Sequence, residues 1–178
     1  MTVMVALLRG INVGGSTTLP MARLRDIVSE CGYEHVRTYI QSGNVVFTTS
    51  ARSTTRVARE LEAAIAASST VKPAVIVRTR QELAEVVAAN PFLARGEDAA
   101  HQHALFLPAG IDADAVPSAP SESGEAAAPG PGVVYLHLPH GVGRSAFASA
   151  VIGAQGPAGT MRNWRTVTKL LSMADELA

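Results

Sequence analysis

Three short clusters carry the side chains of this chain best suited to holding a ligand. They are Arg9, Asn12, Gly14 and Gly15 in LRGINVGG, Gln41, Ser42 and Asn44 in YIQSGN, and Arg162, Asn163 and Trp164 in MRNW. Arginine presents a planar fork of donors that matches carboxylate and phosphate oxygens, while Asn and Gln offer a donor and an acceptor on one amide. Glycines between a strand and a helix let backbone N–H groups and the helix dipole turn toward an anion. The spacing of Gly10, Gly14 and Gly15 matches neither GxGxxG nor the P-loop, so a plain tight turn competes with an anion cradle. Arg9 lies in phase with Val3, Val5 and Leu7 on a period of two, which brings its guanidinium out at the rim of a buried face. There it needs an oxygen partner, either a ligand or a structural carboxylate.

The other two clusters also read in two ways. Gln41, Ser42 and Asn44 satisfy backbone groups in a turn as readily as they face a ligand. Asn163 and Trp164 make a helix cap and a core aromatic, or, with Arg162, a charge beside a stacking face. Metal chemistry has little support: His101 and His103 share a strand face and His137 and His140 flank a turn, but no Asp, Glu or Cys cluster completes a ligand set. No serine has an evident base and orienter, and Cys31 falls on an apolar helix stripe, so nucleophilic catalysis is equally unsupported. The sequence identifies no catalytic residue, no metal and no cofactor.

These clusters sit on recognisable elements. Residues 3–8 are continuously apolar and short, as in a buried strand. The loop over residues 10–19 is longer than the roughly 2 to 6 residues usual between strand and helix, which favours a binding role. Pro20 suits the opening of a helix, in which Met21, Leu24, Ile27, Val28 and Cys31 form the stripe and which Gly32 ends. Two β-branched runs over residues 35–40 and 44–49 flank a tight turn at Ser42 and Gly43. A second helix follows, capped by Ser53 and striped by Val57, Leu61, Ala64 and Ile65, and then a short strand over residues 75–77. Strand, helix, strand, strand, helix, strand is the ferredoxin-like order.

Beyond it, Thr79 and Glu82 form a capping box for a bridging helix that Asn90 and Pro91 end. The spacing predicts a strand over residues 104–107, a short helix over 111–116, a strand over 133–138, a helix capped by Ser145, and a last helix capped by Asn163 with Trp164, Val167, Leu170, Leu171 and Ala174 inside. Residues 117–132, rich in proline and glycine, read as a mobile loop or a weak hairpin arm. With short edge strands over residues 125–127 and 158–161, the second half repeats the ferredoxin-like order.

The 178 residues, 47% of them hydrophobic, fit one domain or two small ones. Fifteen basic and fifteen acidic residues cancel, so nothing in the totals favours a polyanion or an anionic membrane. The single cysteine fits a reducing cytoplasm, the apolar start stops too early at Arg9 for a signal peptide, and no run approaches the roughly 20 apolar residues of a spanning helix.

The segments LLRGINVGG, LPMARLRDIV, TYIQSGNVVF, NPF and GTMRNWRTVTKL together resemble the family known as domain of unknown function 1697. The resemblance runs from the first strand to the last helix and departs between Pro117 and Gly132. It implies a bacterial cytoplasmic protein with two ferredoxin-like subdomains and brings no activity. The expected architecture is therefore α+β, with two tandem ferredoxin-like (βαββαβ) subdomains on antiparallel sheets, an extra C-terminal helix, and a boundary placing residues 1–78 in the first and 79–178 in the second.

The function expected on these grounds is binding of a small anionic or nucleotide-like ligand in a cleft around the Arg9 loop, with the three clusters converging and the question of catalysis open. The alternative is a nucleic-acid-binding or protein-interaction module without catalysis. Nucleic acid ranks lower, because aromatic residues make up only 4% of the chain and the first strand offers none for stacking. Nothing in the sequence sets the oligomeric state.

Overall fold

The computed structural model describes residues 1–16, 18–108 and 110–178. It shows an α+β chain with two four-stranded antiparallel sheets, divided into two compact units: Met1–Leu83 with Leu170–Ala178, and Ala84–Lys169. The boundary expected after residue 78 thus moves to Leu83, and the chain's last residues return to the first unit, where Arg80 Nε pairs with Asp175 at 2.6 Å and Arg37 with Glu176 at 2.8 Å.

In the first unit the elements run β1 (Thr2–Leu8), α1 (Met21–Glu30), β2 (Glu34–Tyr39), β3 (Asn44–Thr49), α2 (Thr54–Ser68) and β4 (Val75–Thr79), and the strands lie in the order β2-β3-β1-β4. Apolar spacing decides how the helices dock. Leu24 and Ile27 of α1 and Leu61 and Ile65 of α2 are fully buried on the sheet face that carries Met4, Ala6, Leu8, Val45 and Phe47. Local capping follows the sequence: the Ser53 hydroxyl accepts from Arg56 N, and Gly32 takes φ +81° where α1 stops. Pro20 stands just ahead of α1 at φ −59° and ψ 138°, a conformation proline adopts without cost.

Two further helices follow β4, α3 (Arg80–Ala88) and α4 (Pro91–Ala94). The capping box is present: Thr79 N donates to Glu82 Oε2 at 2.7 Å, and Glu82 N to Thr79 Oγ1 at 3.1 Å. Asn90 both follows α3 and caps α4, accepting from Phe92 N at 2.9 Å.

The second sheet holds β5 (Gln102–Phe106), β6 (Ala126–Gly130), β7 (Val133–His137) and β8 (Thr160–Asn163) in the order β6-β7-β5-β8. The helices α5 (Ala146–Gln155) and α6 (Trp164–Asp175) flank β8 in sequence. The short helix expected over residues 111–116 does not form. Asp112 Oδ1 accepts instead from Asp114 N and Ala115 N in a turn, and Pro117 pushes the residue before it toward extended backbone, leaving no room for a helical turn. Ile111, Val116 and Ala119 still pack on the core of Leu105, Val134, Leu136 and Phe147, so an irregular segment supplies that apolar cover. Of the expected loop over 117–132, the latter part is a hairpin arm, β6. Its Pro129 is tolerated because the strand is an edge, and Gly130 is required because a Cβ there would overlap the Tyr135 ring.

Candidate functional site

The first two clusters are brought together where β1 ends. Leu8 N donates to Gly43 O at 2.8 Å and Arg9 N to Ala74 O at 2.9 Å, so the end of β1 is stitched on one side to the β2–β3 turn and on the other to the segment before β4. Asn12, at φ +55°, then holds the loop. Its Nδ2 donates to Gln41 O at 2.7 Å and to Leu19 O at 3.0 Å, and its Oδ1 accepts from Leu19 N at 2.8 Å. Both amide hydrogens are therefore engaged within the chain, and Asn12 acts as a latch between loop and turn. Thr17, within this loop, lies outside the described residues.

The turn is fastened the same way. Asn44, fully buried, donates from Nδ2 to Tyr39 O and to Ser42 Oγ, both at 3.0 Å. Gly43 sits at φ +79°, and a Cβ there would come within 2.6 Å of Ile11 Cδ1, so loop and turn are in direct contact through a position only glycine fills. Gln41 gives its carbonyl to Asn12 and keeps its side chain exposed. Gly14, at φ +79°, and Gly15 are exposed, with open space around each.

Arg9 is what this scaffold presents to solvent. A recess of about 170 Å³ is lined by Arg9, Gly10, Ile11 and Ser16 on one side and Thr70, Val71, Lys72 and Pro73 on the other. Arg9 and Lys72 are both exposed, and among the described residues neither has a carboxylate within 4.0 Å. Ser16, Thr70 and Lys72 were not among the residues the sequence singled out, although Ser16 lies in the long loop expected to bind. Thr70 and Lys72 come alongside Arg9 because the bond from Arg9 N to Ala74 O ties the end of β1 to the segment before β4. A cation immediately before the proline that precedes a short strand is the one signal that bore on Lys72.

Arg162, Asn163 and Trp164 belong to the second unit. Asn163 Oδ1 accepts from Thr166 N at 2.9 Å, which caps α6, and Trp164 is 2% exposed with its ring edge-on to Tyr135 at 6.2 Å between centroids. Arg162 is buried; its Nη1 donates to Thr160 Oγ1 at 2.8 Å and to Met161 O at 2.9 Å, and desolvation lowers its pKa to about 10. The first unit repeats this local pattern. Arg78 in β4 donates from Nη1 to Val77 O at 3.0 Å, has its pKa lowered by burial, and stands just before the cap residue Thr79. The residues around the two arginines share no identity, which hides the repeat in the sequence.

Of the histidines, His137 Nε2 lies 3.4 Å from Glu97 Oε2 and its ring stands 6.2 Å from that of His101. Among the described residues no group of three or more His, Cys, Asp or Glu is placed to hold a metal ion. Burial, with Glu60 and Glu30 nearby, pushes the Cys31 thiol up, away from the thiolate a nucleophile needs. Among the described residues, no helix is long and apolar enough to cross a membrane.

Fold and site thus define an α+β protein of two antiparallel sheets whose first unit presents a small recess lined by two cations, Arg9 beside the latched loop and Lys72 in the segment before β4. The chain belongs to the family described as "Protein of unknown function (DUF1697)", whose model matches residues 1–135. That stretch includes the Arg9 and Gln41 clusters and stops before Arg162. A solved structure, that of the conserved bacterial protein SP0830 from Streptococcus pneumoniae, is similar over 98% of this chain and 99% of that one, at 27% identity and a TM-score of 0.78. Among curated proteins, nothing matches.

Proposed function

We propose that this chain binds a small anion, of the size of phosphate or a short carboxylate, in the recess beside Arg9. One observation carries the reading: Arg9 and Lys72 face a common space with the Ser16 and Thr70 residues, and no described carboxylate neutralises either cation. A charged donor pair with two hydroxyl groups is the chemistry that phosphate and carboxylate oxygens accept from. The volume of about 170 Å³ lies below the roughly 300–1,000 Å³ typical of sites for larger organic ligands, which favours an ion-sized guest over a whole nucleotide. The latches at Asn12 and Asn44 support the loop that carries Arg9 and Ser16, and that is the part of the site they play.

On the same footing we infer that both units are ferredoxin-like. The first has the full βαββαβ order with strands arranged β4-β1-β3-β2, and the second repeats that strand arrangement with a loop in place of its first helix.

Thermal unfolding with phosphate, sulfate, acetate and ATP tests the ligand. Saturation at a hundredfold excess over Kd stabilises a folded protein by about 2.7 kcal/mol, roughly 5–10 °C for a chain of this length. Phosphate is expected to raise Tm, and Arg9→Ala with Lys72→Ala to abolish the rise while leaving the far-UV spectrum unchanged. An unchanged rise in that double variant, or no rise with any of the anions, refutes the reading.

A further inference from the structure

We propose that a second recess on the first unit binds a free α-amino acid or a zwitterion of that size. This recess, of about 530 Å³, falls inside the range of small-molecule sites, unlike the one beside Arg9. Its wall is built from Cys31 and Tyr33 after α1, Ser50 and Ala51 after β3, and Arg56 and Glu60 on α2.

The polar groups of this wall are held from below. Tyr33 is buried, with its ring stacked on Phe47 at 4.9 Å and 14°. Its hydroxyl donates to Glu60 Oε2 at 2.6 Å, and Arg56 Nε donates to Glu60 Oε1 at 2.8 Å. An Arg–Glu pair four residues apart on a bare helix is a loose surface contact. Here the carboxylate is pinned by a hydroxyl anchored in the core, and the guanidinium is aligned by the carboxylate.

Among the described residues, the donors and lone pairs that these bonds leave over define the guest. The guanidinium has five N–H donors, of which the Nε donor goes to Glu60, and each Glu60 oxygen keeps a lone pair beyond the bond it accepts. A positive fork and a negative acceptor therefore stand side by side at the recess. A simple anion meets the Glu60 charge and a simple cation meets the Arg56 charge, so each is opposed by one of the two. A molecule carrying an ammonium and a carboxylate on one carbon sets its charges in the reverse order and satisfies both, with charge-assisted bonds on each side. The Cys31 thiol adds no third charge, since burial and the neighbouring carboxylates keep it protonated. Gly32 and Ala51 are small, which leaves volume for the side chain of the guest.

The test is thermal unfolding and calorimetric titration of the full chain with each common L-amino acid, with acetate and methylammonium as the two half-ligands. At least one amino acid is expected to raise Tm in the native chain and in the Arg9→Ala, Lys72→Ala variant, while in that variant, whose Arg9 recess no longer takes a carboxylate, neither half-ligand does so at equal concentration. Glu60→Gln, which keeps an acceptor for Tyr33, and Arg56→Ala, at an exposed position, are each expected to weaken binding tenfold or more. Both are expected to leave the phosphate response of the Arg9 recess intact, which separates failure here from failure there. No response to any amino acid, an equal response to a half-ligand in the Arg9→Ala, Lys72→Ala variant, or undiminished affinity in either the Glu60→Gln or the Arg56→Ala variant overturns the proposal.

Discussion

Replacing Asn12 by Asp exchanges an amide nitrogen for an oxygen and alters nothing else in shape, yet it strikes the latch that holds the Arg9 loop. The bond from Leu19 N to Oδ1, 2.8 Å in the native chain, survives. The two donated bonds, to Gln41 O at 2.7 Å and Leu19 O at 3.0 Å, are lost, and a carboxylate oxygen is left facing both carbonyls. Two lost bonds remove about 1–3 kcal/mol, and unrelieved oxygen–oxygen repulsion at a partly buried site brings the expected total to about 2–4 kcal/mol. Urea unfolding followed by circular dichroism measures this as a shift in midpoint at constant slope.

The same variant carries an internal check through pH. The introduced carboxyl is favoured in its neutral form by the two carbonyls, so its folded pKa lies above the unfolded value of about 3.9. The penalty is full above the folded pKa and shrinks as pH falls through it, because the protonated group donates one bond again. Measured against the native chain at each pH, the gap is expected to narrow in acid. A loss under about 0.5 kcal/mol, which is the scale of an unremarkable surface change, or a gap that does not narrow, refutes the latch.

Two further outcomes follow from the geometry. Gly43→Ala forces a left-handed residue at φ +79° and a Cβ within 2.6 Å of Ile11 Cδ1, so about 2–5 kcal/mol of destabilisation is expected in the same urea assay, against a few tenths for a substitution at exposed Gly15. His103 has a buried Nδ1 without a described partner, and burial lowers its pKa below 6.5. The unfolded chain therefore takes up that proton first, so stability is full above pH 6.5 and declines as pH drops below it, and His103→Leu is expected to flatten that part of the profile of unfolding midpoint against pH.

Much of the fold was legible in the residues because the rules involved are local. Ser53, Thr79 with Glu82, Ser145 and Asn163 cap their helices through partners three residues away, and the apolar spacing of Leu24, Ile27, Leu61 and Ile65 fixes which helix faces are buried wherever the sheet lies. The helix expected over residues 111–116 failed because Asp112 and Pro117 each favour a competing local conformation, and the apolar residues between them pack without it. The site was legible only in part. Arginine, asparagine and glycine marked the Arg9 loop, but side-chain type does not say whether an amide faces a ligand or a backbone. One carbonyl that Asn12 engages lies 29 residues away, and Thr70 and Lys72 reach Arg9 from the segment before β4, which antiparallel pairing alone brings alongside. Periodicity and caps depend on neighbours along the chain; a latch and a shared recess depend on strand order and register, which exist only once the sheet has closed.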